Sequence, residues 1–289
     1  MKKRNFSEKG IIKGVLEIKT RHKKGYNEVI KKIVGQIKNF HKKTNPKGNL
    51  ILGLSGGIDS TVVAYLAVMA VGPKKVILLN LPVRGNDEGI KCYKLVKSDL
   101  KVKGGYVISI NSPTQKIIKD VSKIIGKKLD LITKGNIASR LRINFFYAVA
   151  REKGGMVLGT SNRAEFVQGY ATKYGTPMSC DFGVLDDLYK IDIKEIAKEL
   201  DIPQDILNRK STTGFYQGQT HEEELGATLT EQDVAAYLLF ERKMSISQII
   251  KKYGASKKYL SDIIKRYKQS KHKRVLQVSH VSLGYIHDK

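Results

Sequence analysis

Apolar residues recur at helical spacing from Tyr26 through Val29, Ile30, Ile33, Val34, Ile37 and Phe40, and Asn45-Pro46-Lys47-Gly48 closes the run. The spacing predicts one amphipathic helix with a clear stop. Leu50 to Leu54 then forms a short uncharged run between Gly48 and Ser55-Gly56-Gly57, the pattern of a strand buried on both faces. Val76 to Leu81, Tyr106 to Ile110 and Met156 to Leu158 repeat it. Helical patterns at Ser60 to Val71, Glu88 to Leu100, Ser112 to Ile125 and Asn136 to Lys153 separate these runs. Such alternation predicts βαβ units with right-handed crossovers, hence an α/β fold: a doubly wound parallel sheet with helices on both faces. Ligands then bind at the carboxyl ends of the strands.

The flanks are less regular. Residues 1–24 have dense charge and no clear period, and are expected to form a basic extension, loosely attached or used in oligomer contacts. A single domain is expected over 25–289. The stretches Gly169 to Leu188 and Arg209 to Glu224 read as long functional loops. Helices near Thr230 to Phe240, Ser245 to Lys252 and Ser256 to Lys268 complete the chain and stay in the same domain.

Charge adds a second class of partner to consider. The 289 residues carry a net charge of +26, enough to attract polyanions. Residues 1–43 hold 14 Lys and Arg against three acids, and residues 242–274 hold 12 against one. A Lys-rich solvated surface that suits a nucleotide substrate accounts for this more simply than nucleic-acid binding. The longest uncharged apolar stretch, Thr61 to Val71, is far short of the roughly 20 residues that span a bilayer. Cys92 and Cys180 stand outside any C-x-x-C pattern, which argues against a disulfide framework or a zinc site. A cytoplasmic protein is expected.

The chemistry concentrates where the first strand meets its helix, at Gly53-Leu54-Ser55-Gly56-Gly57-Ile58-Asp59-Ser60. Glycines let backbone approach phosphate closely, amides at the helix start point at its oxygens, and two serines add hydroxyl donors. Asp59 would repel phosphate unless Mg²⁺ bridged them. The plainer alternative is a glycine turn with Asp and Ser capping a helix. The Lys of G-x-x-x-x-G-K-[ST] and the spacing of G-x-G-x-x-G are both absent, which excludes kinase, GTPase and dehydrogenase readings.

Strand-S-G-G-I-D-S-helix resembles the ATP-pyrophosphatase superfamily, also called adenine nucleotide alpha hydrolase-like. Further blocks narrow the resemblance to ammonia-dependent NAD synthetase: Gly135 to Arg142, Gly159 to Glu165, Gly169 to Gly175, Asp187 to Lys190, Gly218 to Thr220, Glu223 to Gly226 and His272-Lys273-Arg274. The blocks cover roughly residues 26–274 and follow the family's order. The resemblance implies ATP-dependent amidation of deamido-NAD with ammonia through an adenylated intermediate, in a homodimer. By matched position it assigns ATP to Gly53, Leu54, Ser55, Gly56, Gly57, Ile58, Asp59, Ser60, Thr160, Lys190 and Thr212. It assigns Mg²⁺ to Asp59 and Glu165, and catalysis to Asp59 and Lys190. Arg140, Lys173, Asp181, His272 and Lys273 would contact deamido-NAD.

Several segments depart from the family: Phe182 to Asp187, Gly214 to Gln217, the loop Val83 to Glu88 leading into Lys91-Cys92, and above all the stretch after Lys173. The family's usual Lys-Tyr-Gly-Asp-Gly-Gly reads here Lys173-Tyr174-Gly175-Thr176-Pro177-Met178, without the acid and two glycines on the acceptor side. A paralogue that adenylates another carboxylate therefore stays open as an alternative. So does a nucleic-acid-associated protein, either a tRNA-modifying enzyme or a DNA binder, because Ser245 to Tyr267 resembles a helix-turn-helix.

Overall fold

The computed structural model describes residues 5–83, 87–209 and 225–274. Five parallel strands form one sheet: β1 (Leu50–Gly53), β2 (Val76–Asn80), β3 (Gly104–Val107), β4 (Met156–Gly159) and β5 (Phe182–Gly183), in the order β3-β2-β1-β4-β5. β1 lies at the centre, with Leu50 opposite Val76 of β2 and opposite Met156 of β4. The chain direction across the sheet reverses between β1 and β4, which opens a crevice at their carboxyl ends.

Side-chain alternation along β1 explains why both faces are covered. Leu50, Leu52 and Leu54 pack into one core with α2 (Tyr26–Thr44), α3 (Ile58–Val71), α4 (Asp87–Asp99) and α8 (Lys190–Glu199). Ile51, Ile77, Leu79 and Val157 point to the opposite face, where Ala138, Phe146 and Ala150 of α6 (Leu131–Glu152) cover them. Leu50, Ile51 and Leu52 of β1 are fully buried, as a two-sided sheet requires. The doubly wound α/β architecture expected from the sequence is present. β3 starts two residues earlier than the apolar run suggests, and its Tyr106 and Val107 are largely exposed because β3 is an edge strand. Between β3 and β4, α5 (Asn111–Ile125) packs on α6.

The expectation of a loosely attached amino-terminal segment is corrected. Residues 8–20 form α1 (Glu8–Thr20), capped by the Ser7 side chain. Phe6 and Ile18 are buried in a second core with α10 (Leu229–Ala236), α11 (Ile246–Tyr253) and α12 (Lys257–Gln269). Gly10 and Gly14 allow the close approach: a Cβ at Gly10 would stand 1.9 Å from the Tyr253 carbonyl oxygen, and one at Gly14 2.4 Å from Val234 Cγ1. The Ser7 amide donates to Gly254 O at 3.1 Å, and Ser256 N to Asn5 O at 2.8 Å. The helix-turn-helix-like pair turns at Gly254, and Ile249, Tyr253, Leu260 and Ile263 bury its inner faces in this core. Among the described residues, no helix is long and apolar enough to cross a membrane.

Candidate active site

The loop after β1 is shaped by its own hydroxyls. Ser60 Oγ accepts from the Ser55 amide at 3.2 Å and lies 3.1 Å from Ser55 Oγ. Thr61 Oγ1 donates to Gly57 O at 2.9 Å, and Asn80 Nδ2, at the end of β2, donates to Leu54 O at 2.7 Å. Gly56 has φ +81°, and a Cβ there would meet the Gly89 carbonyl oxygen at 2.6 Å. Only glycine fits that position. Helix α3 starts directly behind the loop with Gly57 as its cap and without a side-chain capping bond, so its amino end faces the crevice as an anion site.

Four ionisable side chains from four helices meet beside this loop. Lys190, the first residue of α8, is buried and its ammonium donates to Asp59 Oδ2 on α3. Glu165 stands on α7 (Arg163–Gln168), whose amino end is fixed by Asn162: the Glu165 amide donates to Asn162 Oδ1 at 3.1 Å, and the Asn162 amide to Glu165 Oε2 at 3.2 Å. Asp233 on α10 accepts from the Ile191 amide at 2.9 Å, anchoring the first turn of α8. Burial pushes Glu165 up to about 7, with the Asp59 charge adding to the effect and Lys190 opposing it. Burial likewise pushes Asp233 up to about 7. Burial alone would lower Lys190, but the Asp59 and Glu165 charges outweigh it and hold the ammonium above its ordinary range.

Asp59 Oδ1 is buried and has no hydrogen-bond partner. A buried, unsatisfied carboxylate oxygen beside a second carboxylate is a donor set for a hard cation. Among the described residues, no group of three or more His, Cys, Asp or Glu side chains could hold a metal ion. Asp59 and Glu165 thus fit a Mg²⁺ that completes its shell with phosphate oxygens and water, the habit of that ion, and not an all-protein cage.

Two site residues lacked a motif signal in the sequence. Arg209 Nη1 donates to Ser55 O at 3.3 Å, and its Nε lies 3.6 Å from Glu88 Oε2, which brings a cation against the glycine loop. Asp233 reaches the site only because α10 packs beside α7 and α8. Neither residue stands at a recognisable spacing from the loop.

The expected substrate-side residues divide. Lys173, His272 and Lys273 line one shallow cleft with Thr172, Met178 and Ser179. Arg140 supports its wall by donating to Lys173 O at 3.1 Å, and Lys273 Nζ donates to Gly169 O at 2.8 Å. Asp181 does not line that cleft. Its Oδ2 accepts from the Val157 amide at 2.8 Å and its Oδ1 from the Tyr147 hydroxyl at 3.1 Å, which ties it to β4. Thr160 follows the end of β4, at the crevice. Thr212 lies outside the described residues, as do most of the Gly218-to-Gly226 blocks. Met178 of the altered segment lies on the cleft, and Cys180 just beyond it packs over Gly159.

A model of the NAD synthase family matches residues 29–277. The NH(3)-dependent NAD(+) synthetase of Thermococcus sibiricus is 38% identical over 253 residues, covering 88% of this chain and 96% of that protein. That of Pyrococcus furiosus is 36% identical over 247 residues, covering 86% and 93%. Among solved structures, NMN synthetase from Francisella tularensis superposes with a TM-score of 0.75 at 30% identity, over 89% of this chain and 98% of that one. The NH3-dependent NAD synthetase from Campylobacter jejuni, in complex with the nitrate ion, gives 0.72 at 23% identity over 89% and 99%, a likeness of fold.

Proposed function

The chain belongs to the NAD synthase family, and from that premise we propose that it amidates deamido-NAD with ammonia at the expense of ATP. A carboxylate oxygen of the acceptor attacks the α-phosphorus of ATP and pyrophosphate leaves. Ammonia then attacks the acyl carbon, loses a proton and expels AMP. The observation that carries this reading is the Lys190 and Asp59 pair, with Glu165 beside it, at the mouth of the glycine loop.

Loop amides and the Ser55 and Ser60 hydroxyls would hold the pyrophosphate, with Arg209 alongside. Lys190 would balance the negative charge that develops as pyrophosphate departs, a role that needs a fixed, desolvated cation. Asp59 and Glu165 would hold Mg²⁺, which supplies charge neutralisation at the phosphates when bound. Lys173, His272 and Lys273 offer the anionic acceptor a cationic cleft. Ile124 near the end of α5 and Leu131 and Ile132 at the start of α6 are exposed and lie close together along the chain, apolar surface that a second copy would cover. Cys92 and Cys180 are free thiols, which suits a reducing cytoplasm.

The test is incubation with ATP, Mg²⁺, ammonium and either deamido-NAD or the mononucleotide acid that would yield NMN, following AMP and the amide product by chromatography. NAD with AMP is expected from deamido-NAD. AMP with only the mononucleotide amide would move the acceptor, and no AMP from either would sink the assignment. Asp59→Asn should abolish AMP release.

A further inference from the structure

Arg21, His22 and Tyr26 precede residue 29, where the family match begins, yet all three converge on the helix that carries Lys190. Their common partner is Asp192, fully buried at the third position of α8. Asp192 Oδ2 accepts from Arg21 Nη2 at 2.6 Å and from the Tyr189 amide at 2.9 Å. Its Oδ1 accepts the Tyr26 hydroxyl at 3.0 Å and lies 3.2 Å from His22 Nε2. Arg21 also holds the residues leading into that turn and ties them to Glu241. Nη2 donates to Asp187 O at 3.1 Å, the guanidinium lies 4.9 Å over the Tyr189 ring, and Nη1 donates to Glu241 at 2.8 Å.

The bond from the Tyr189 amide to Asp192 sets where α8 begins, and Lys190 is the first residue after that start. A carboxylate caps a helix amino end well, but a fully buried one persists as an anion only when a cation and hydrogen bonds compensate it. Arg21 is that cation. Without it, Asp192 loses the partner that holds it buried, and the cap that fixes the first turn of α8, and with it Lys190, loosens. Asp233 holds the same turn from the other side through the Ile191 amide, so Lys190 stands between two clamps.

We propose that Arg21, acting through Asp192, is a positioning residue for Lys190, and that the amino-terminal segment is part of the catalytic apparatus. The proposal rests on the reading of Lys190 as the cation that serves ATP cleavage. Its specific content is that loss of Arg21 affects the chemical step more than ATP binding, because the contacts of Arg21 lie on Asp187, Tyr189, Asp192 and Glu241, so the glycine loop keeps its shape.

The test uses the full chain carrying Arg21→Ala, Tyr26→Phe or Lys19→Ala. Lys19 also ties α1 to α8, pairing with Glu195 at 2.9 Å, but does not touch Asp192. Two quantities are read: kcat and ATP KM for AMP release, and hydrogen exchange in the peptide spanning Asp187 to Ile193 without substrates. Arg21→Ala should lower kcat by about tenfold or more with ATP KM changed less than about threefold, as misplacement of a catalytic group does. It should also raise exchange in that peptide. Tyr26→Phe should move both readouts the same way by less, and Lys19→Ala should leave both near wild type. A wild-type kcat in Arg21→Ala, or equal losses in Lys19→Ala, would overturn the positioning role. Unchanged exchange in Arg21→Ala overturns it whether or not the chain makes AMP. Wild-type protein that releases no AMP overturns the ATP reading instead.

Discussion

Replacing Gly56 and Gly57 one at a time separates the two demands on the phosphate loop. Gly56 has φ +81°, and an alanine Cβ there would stand 2.6 Å from Gly89 O, 2.9 Å from Cys92 Cβ and 3.0 Å from Arg209 Nη1. Left-handed backbone costs a non-glycine residue about 1–2 kcal/mol. Crowding against the Gly89 backbone, which moves only with α4, adds about 1–3 kcal/mol. Gly56→Ala should therefore destabilise by about 2–5 kcal/mol in total, or lower the melting temperature by roughly 3–8 °C for a chain of this size. Gly57 has φ −85°, and the nearest atom to its added Cβ is Ser55 Oγ at 3.4 Å. Gly57→Ala should change stability by less than about 1 kcal/mol, yet its methyl would occupy the space that phosphate needs. The assay is thermal melting without ligand and with saturating Mg-ATP, beside ATP KM for AMP release. Gly57→Ala should melt like wild type and show a smaller ATP-induced shift and a higher KM. The reasoning fails if Gly56→Ala melts within about 2 °C of wild type, or if Gly57→Ala melts as low as Gly56→Ala.

Lys190→Met leaves Asp59 and Glu165 without their buried cation, so AMP release should fall by about 10²- to 10³-fold and stability by about 3–5 kcal/mol; activity within tenfold of wild type refutes the role. Glu165 is raised to about 7 by burial, and a raised carboxylate favours the folded state while protonated. That contribution is full below the unfolded-state value of about 4.3 and lost as pH rises through about 7. Melting temperature without ligand should therefore fall across this window, and Glu165→Gln should flatten the decline; an unaltered slope counts against it. Asp181→Ala removes the acceptors of Val157 N and Tyr147 OH, so it should cost about 1–3 kcal/mol with acceptor KM unchanged, whereas a raised KM at normal stability would restore the substrate role read from the sequence. Ile132→Glu should convert the proposed dimer to monomer by light scattering, and a dimer that persists would place the interface elsewhere.

The central strands and the phosphate loop were legible because each is a local pattern: an apolar run that ends in Ser55-Gly56-Gly57 announces strand, turn and helix within a dozen residues. α8 was not. Its Ile191 packs into the second core, while Ile193 and Ile196 pack into the first. A helix wedged between two cores shows no single apolar stripe, and Ile191-Asp192-Ile193 even alternates like a strand. α1 was hidden by the features that dock it. Gly10 and Gly14 are poor helix formers, but they stand where α1 touches Tyr253 and Val234. β5, only two residues long, is too short to leave a period. In the candidate site, Asp59, Glu165 and Lys190 were singled out by motif blocks, whereas Arg209 and Asp233 are defined by what packs beside them.

The strand order has a consequence for synthesis. β1 pairs on one side with β2, which follows it closely, and on the other with β4, about a hundred residues further along the chain. During translation the first, second and third strands can assemble in sequence, while the far edge of β1 stays open until Met156–Gly159 emerges. An uncovered apolar strand edge is the feature most prone to pairing with another nascent chain. Yield on overexpression should therefore depend more on translation rate and chaperone supply over this interval than on the stability of the finished fold.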